Sequence, residues 1–256
     1  MYSFALVLGG VVIVAFLLSI INFRFLVYPL FPSLNPMNNV KRLSLDGRSL
    51  FISDLHLRVD RPFQYSDGIR RVLRERHVSN LFVVGDLFDS PEDGRMIAGE
   101  ESVGSPIGDI LGVLDLPVKA FFIEGAGHHD PSSKQNAALN MAPLIFLGRC
   151  VLLDFPQMTV IAYHGYDLSA VAGAIGHGWD RFISKLSLER AWKKLAHVSD
   201  SDWVIFGHTH IPGIDVKHRV ANCGGWKSIG FLVRPACTGL FLSPENDSLE
   251  IVNFAK

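Results

Sequence analysis

Ten residues able to hold a metal or move a proton fall into five short motifs: Asp54-Leu55-His56, Gly85-Asp86-Leu87-Phe88-Asp89, Gly127-His128-His129-Asp130, His164-Gly165 and Gly207-His208-Thr209-His210. Carboxylate oxygens mixed with imidazole nitrogens form a donor set that suits Mn, Fe, Zn or Co better than Mg or Ca. Two such ions, held about 3.5–4 Å apart, can clamp a phosphate and make hydroxide available near neutral pH. In an extended segment alternate side chains share a side, so Asp-x-His and His-x-His are each expected to grip one ion from strand-like backbone. The glycines before Asp86, His128 and His208 allow tight turns. Alone, each motif is weak, since Asp-x-His is commonly a surface turn and histidine serves many roles. Five in succession are not a coincidence of composition.

The elements that must position them are short apolar runs. Ser49-Leu50-Phe51-Ile52, Leu81 to Val84, Val118 to Ile123, Thr159 to Ala162 and Trp203 to Phe206 each precede a motif. Helical patterns separate several of them, and another apolar run covers Val151 to Asp154. The layout is α/β, in which ligands bind at strand ends. Gln64 to His77 has Ile69, Val72 and Leu73 at helical spacing, with its arginines on a solvated face. Arg42 to Leu45 and Ser49 to Ile52 flank Asp46-Gly47, a pattern that predicts a hairpin. Strands are expected at 219–222, 231–234, 239–242 and 249–254. The stretch Asp167 to Ser199 has two helical patterns broken by glycines and is either a lid over the site or a structural insert.

The chain has 256 residues, enough for one domain with an appendage. A net charge of −1 gives no overall field for nucleic acid, and no basic, aromatic-laced surface supports a nuclease. The three cysteines, Cys150, Cys223 and Cys237, are too sparse for a disulfide framework and are expected as buried thiols. Ser3 to Ile21 carries no charge and is long enough to cross a bilayer. A cleaved signal peptide would want a basic start and a small-residue exit, and a buried core helix is the third alternative. Residues 1–27 are expected to form a transmembrane anchor, 28–40 a proline-broken linker and 41–256 the globular domain. Arg24, Lys41, Arg42 and Arg48 all follow the apolar run, which by the positive-inside rule makes this a single-pass membrane protein with a cytoplasmic domain.

The motif order resembles the signature of the calcineurin-like metallophosphoesterases, over about residues 42 to 256. Asn222-Cys223-Gly224-Gly225-Trp226 also resembles the Asn-x-Gly-Ser stretch that these enzymes carry after the last motif. The resemblance implies a four-layer αββα fold, a β-sandwich flanked by helices, with two divalent ions (Mn, Fe or Zn, Mn foremost) at the strand ends. It implies Asp54, His56 and His210 on one metal and Asp86 as a bridge. His128, His164 and His208 would hold the other metal. His129 would be the general acid or phosphate-binding histidine, supported by Asp89 or Asp130. Position 128 departs from the family, which has asparagine there. The implied activity is hydrolysis of a phosphate ester or anhydride in a phosphorylated small molecule, and the membrane anchor adds the expectation of a lipid-linked or nucleotide-linked substrate. The rival is a non-catalytic metal-binding or scaffold protein with a degenerate centre.

Overall fold

The computed structural model describes residues 24–61, 63–99, 118–125, 127–131, 144–168, 184–228 and 234–254. Two mixed six-stranded sheets organise them. One runs β1 (Lys41–Ser44), β6 (Cys150–Phe155), β7 (Met158–Tyr163), β8 (Trp203–Phe206), β10 (Val220–Asn222) and β9 (Gly213–Asp215) from edge to edge. The other runs β12 (Ser248–Asn253), β11 (Thr238–Ser243), β2 (Ser49–Ile52), β3 (Asn80–Val84), β4 (Lys119–Ile123) and β5 (Leu144–Gly148).

Alternation along the strands builds the layers. In β2, β3 and β4, Phe51, Phe82, Val84, Phe121 and Ile123 face the other sheet and meet Val151, Leu153, Val160, Ala162 and Ile205. Their neighbours Leu50, Ile52, Leu81, Val83, Ala120 and Phe122 face outward, onto Ile69, Val72 and Leu73 of helix α1 (Ser66–Glu75) and Ile97 of α2 (Pro91–Gly99). On the far side of the other sheet, Ile161, Tyr163, Val204 and Phe206 pack on Trp192 of α3 (Ser187–Leu195). Strands covered on both faces need apolar residues at every position, which is why β2, β3 and β8 appear in the sequence as unbroken runs.

The expected hairpin at Asp46-Gly47 does not form. Gly47 does turn the chain, with φ of +80°, but β1 pairs in parallel with β6 while β2 pairs with β3 and β11 in the opposite sheet. All four residues of β2 are buried, so it is a central strand, and the turn carries the chain between sheets. The region 231–233 and most of the glycine-broken stretch, 169–183, lie outside the described residues. All three cysteines are buried and unbridged.

Residues 28–40, expected as a linker, lie against the domain. Short 3-10 turns at Arg24–Val27, Pro32–Leu34 and Pro36–Asn39 send Phe25 and Tyr28 into the core around Trp192, and Asn35 donates to the Ala196 carbonyl at 3.2 Å. Among the described residues no helix is long and apolar enough to cross a membrane; the uncharged run 3–21 lies outside them.

The inter-sheet core rests on a phenylalanine ladder. Phe51, Phe82 and Phe121 stand opposite one another on β2, β3 and β4. Their rings stack at 4.7 and 4.9 Å. Phe82→Ala is expected to cost about 3–5 kcal/mol of unfolding free energy, measured by urea titration; a loss under about 1 kcal/mol, far below the range for such truncations, would contradict the ladder's role.

Candidate metal centre

Each motif begins where a strand ends. β2, β3 and β4 are parallel neighbours in one sheet, and β7 and β8 in the other. Their five carboxyl-terminal ends therefore deliver Asp54, Asp86, His129, His164 and His208 to one rim of the sandwich.

The backbone that aims these side chains is not strand-like, which corrects the period-two expectation. Asp54, His56, Asp86, His208 and His210 all have left-handed backbone, with φ between 46° and 66°. Such residues cost roughly 1–3 kcal/mol each and persist only when their surroundings over-determine them. The reason is geometric: the ligands lie past the last strand residue, in tight loops that curl over the sheet edge. Gly85 shares this conformation at φ +74°, and a side chain there would overlap the His164 ring. At Gly207 a side chain would overlap Ser53. Gly127, by contrast, has open space around it.

Three groups of ligand atoms result, each within 4.8 Å of one another: Asp54, His56 and His210; Asp86, His164 and His208; and His56, Asp89 and His129. The first two sets touch, since His164 Nε2 lies 3.3 Å from Asp86 Oδ1 and 3.9 Å from Asp54 Oδ1, while His210 Nε2 lies 3.1 Å from Asp54 Oδ1. Asp54 Oδ1, both ring nitrogens of His56 and His164 Nε2 are buried without a hydrogen-bond partner among the described residues.

Second contacts fix the rings. His164 Nδ1 lies 2.9 Å from the Val84 carbonyl, and His210 Nδ1 3.3 Å from that of Lys227. A carbonyl can only accept, so each Nδ1 carries the proton and each Nε2 of a neutral ring presents a lone pair to a carboxylate. Lone pair against lone pair is repulsive unless a cation stands between them. Protonation is one remedy: burial works against the imidazolium, but Asp86 and Asp54 outweigh it and push His164 up to about 10. Burial also opposes the Asp54 carboxylate, yet His210 and His164 pull it down to about 2. His56 is held neutral, at about 4, mainly by burial. Divalent cations are the other remedy, and the donor set of carboxylate oxygen and imidazole nitrogen fits them.

Asp130 has a structural role that its sequence position did not reveal. It is fully buried, and its two oxygens accept from the backbone N–H groups of Asp86 (2.8 Å), Gly125 (2.8 Å), Leu87 (2.9 Å) and Phe88 (3.3 Å). Burial and the Asp86 carboxylate push Asp130 upward to about 8, and the N–H donors pull back. With both oxygens occupied as acceptors, the geometry is that of the ionised group. The clamp ties the 86–88 loop to the 125–130 loop.

His129 takes its support from main chain: its Nδ1 lies 2.8 Å from the Asp89 carbonyl, leaving Nε2 facing Asp86 Oδ2 at 3.7 Å. The Asp89 carboxylate turns to the Lys227 ammonium, to Arg58 at 3.5 Å and to His56 at 3.5 Å. His128 stands apart. It is exposed, belongs to none of the three groups, and packs its ring 4.2 Å from that of His129. Burial, and then His129, lower its pKa.

Other positioning residues carry no motif. Ser53 Oγ lies against the Asp54 carboxylate and 2.8 Å from the Val84 carbonyl, and its one proton is shared between these acceptors. Asn222, in the stretch singled out after the last motif, donates to the Gly207 carbonyl at 2.6 Å and to Glu189 at 3.1 Å, and Thr209 also donates to Glu189, at 2.9 Å. Together they hold the 207–210 loop from beneath. Glu189 could not have been found from sequence, since it lies on a helix among ordinary surface charges.

A two-sheet α/β fold with buried Asp/His clusters at its strand ends has the donor set of a metal-binding protein. The chain belongs to the calcineurin-like phosphoesterase superfamily, whose domain model matches residues 48–238, and it is a metallophosphoesterase. No curated protein matches it in sequence. Among solved structures it is similar to Yfce, a phosphoesterase from E. coli (13% identity, TM-score 0.44, 81% of this chain and 100% of that one). It is also similar to an archaeal phosphodiesterase (16%, 0.44, 80% and 99%) and to Vps29 complexed with Zn2+ from Entamoeba histolytica (15%, 0.47, 81% and 99%).

The Asp130 clamp generates a prediction. In Asp130→Asn either orientation of the amide turns an NH2 toward N–H donors. Each stranded buried donor costs about 1–3 kcal/mol, so a stability loss of roughly 2–4 kcal/mol is expected, with weakened metal uptake measured by titration calorimetry. Wild-type stability and metal affinity in this variant would show that the clamp is dispensable.

Proposed function

We propose that this chain hydrolyses phosphate esters or anhydrides at a centre of two divalent ions, Mn foremost among Mn, Fe and Zn. The observation that carries the reading is the meeting of two buried ligand sets through His164, Asp86 and Asp54, whose facing lone pairs need positive charge between them. Asp54, His56 and His210 would hold one ion, and His164 and His208 the other, with Asp86 shared. Bound divalent ions supply charge neutralisation at the phosphoryl oxygens and lower the pKa of water.

The protein's own groups do the rest. The tight loops hold the ligands rigidly, so little reorganisation accompanies charge development. In the net reaction a water oxygen forms a new bond to phosphorus and the bond from phosphorus to the leaving oxygen breaks. His129 is partly exposed at the rim, with Nδ1–H committed to the Asp89 carbonyl. Its Nε2 can carry a proton to the leaving oxygen. His128, exposed beside it, contributes packing and a polar edge rather than a ligand.

We further infer that the domain sits on a membrane. The 24–39 segment buries Phe25, Val27 and Tyr28 in the domain and turns Leu26, Leu30, Phe31 and Leu34 outward, at 43–70% exposure. This row directly follows the uncharged run 3–21. The run 3–21 would cross the bilayer as a single-pass anchor and the bilayer surface would cover the exposed row, with the active domain on the cytoplasmic side.

His129→Ala is expected to keep its metal and lose about 10²–10⁴-fold in kcat, the usual range for general acid–base assistance. Asp86→Ala should lose metal and activity together, whereas His128→Ala should retain metal stoichiometry. Elemental analysis beside turnover of a nitrophenyl phosphate ester measures all three. Full turnover by Asp86→Ala would end the shared-ligand reading, and loss of one ion in His128→Ala would make that residue a ligand. For the membrane reading, the full chain is expected in the membrane fraction after carbonate washing. Recovery in the supernatant would remove it.

A further inference from the structure

A groove of about 350 Å³ opens beside the metal centre, with His56 and Asp89 on its inner wall. Its lining also includes three cations, Arg58, Arg61 and Lys227, and the aromatic pair Phe63 and Trp226, whose rings lie 5.5 Å apart. Its volume suits a group larger than one phosphate.

The backbone that carries these cations is held in place. A short antiparallel bridge joins Arg58 to Arg61, and Val59 N–H donates to Asp93 at 3.1 Å, so the loop is anchored. Lys227 is tied to the centre twice, by its ammonium on Asp89 and by its carbonyl facing His210 Nδ1. Charge pairing then distinguishes the three. Arg58 is matched by Asp60 at 2.8 and 2.9 Å, and Lys227 by Asp89. Arg61 lies within ion-pair distance of no carboxylate among the described residues. A guanidinium fork is suited to planar engagement of phosphate oxygens.

A simple monoester spends its one phosphate at the metals and leaves Arg61 without an anion. We propose that the groove is the leaving-group site, and that it selects substrates carrying a second phosphate next to the scissile one, with an apolar or aromatic group attached beyond it. Arg61 engages the second phosphate, and Phe63 with Trp226 receives the apolar or aromatic group. This substrate class rests on the hydrolytic reading above. It covers nucleoside diphosphate compounds and lipid diphosphates, which share this chemistry.

The test uses the full chain with Mn2+. Turnover of ADP-ribose and of farnesyl diphosphate is compared with that of p-nitrophenyl phosphate and its bis ester. At least one diphosphate is expected to exceed both reference esters in kcat/KM, and which one does distinguishes a nucleoside from a lipid source. In Arg61→Ala the ratio of diphosphate to reference kcat/KM should fall about tenfold or more, as for loss of a charge-assisted hydrogen bond. Most of the fall should lie in KM, and Arg61→Lys should recover part of it. In parallel, calorimetry with α,β-methylene-ADP, which cannot be cleaved at that bridge, should show about tenfold weaker binding to Arg61→Ala. An unchanged ratio and unchanged binding in Arg61→Ala overturn the groove assignment. If no ester is turned over but the analogue's binding still depends on Arg61, the groove stands and the hydrolytic reading falls.

Discussion

The convergence of buried carboxylates and imidazoles that needs positive charge at its centre is the constraint on which this structure depends. The side chains of Asp54, Asp86, His56, His164 and His210 converge, buried, at one rim, and His164 and His210 have turned their Nδ1 sides to main-chain carbonyls. Such a cluster is self-repelling in a low-dielectric interior. It is stable when positive charge occupies its centre, and divalent ions satisfy several lone pairs at once where a proton satisfies one. Chemistry on phosphate follows from the same arrangement, because a site that needs concentrated positive charge to exist also presents it to an anionic substrate.

The fold holds this cluster from below. Unbroken apolar strands and the stacked Phe51, Phe82 and Phe121 make a rigid platform. Parallel neighbours bring β2, β3 and β4 to a common edge, and β7 with β8 supply the facing edge. Left-handed backbone at five ligand positions is unfavourable locally and is maintained by contacts from several directions. Asp130 ties two loops with four N–H bonds, Asn222 and Glu189 brace the His208 to His210 loop, and Ser53 steadies Asp54. These residues act on the reaction only through the ligands that they place.

Around the rim, charge is distributed with direction. Asp89 contacts His56 of the ligand cluster as well as Lys227 and Arg58 of the groove, so one carboxylate couples the two. The aromatic wall of Phe63 and Trp226 is continuous with the core that packs on α1, which fixes the groove's shape to the same platform that fixes the ligands.

Much of this was legible in the amino-acid sequence. Apolar runs marked the strands because buried strands admit little else, and the Asp and His motifs after them announced metal chemistry because few other uses require that donor set. What sequence could not decide was partnership. The pattern around Asp46-Gly47 satisfies a hairpin locally, yet β1 and β2 join different sheets, since pairing is settled by which faces can be buried. The spacing of Asp-x-His is compatible with a strand, yet the ligands sit on left-handed turns, a choice made by surrounding loops. Asp130 looked like a partner for His129 and is instead a backbone clamp, because hydrogen bonds go to whichever donors the fold brings near. Residue types and their order thus determined the chemistry available to this protein. The tertiary structure alone decided which atoms face one another, because long-range packing outweighs the local preferences that a sequence displays.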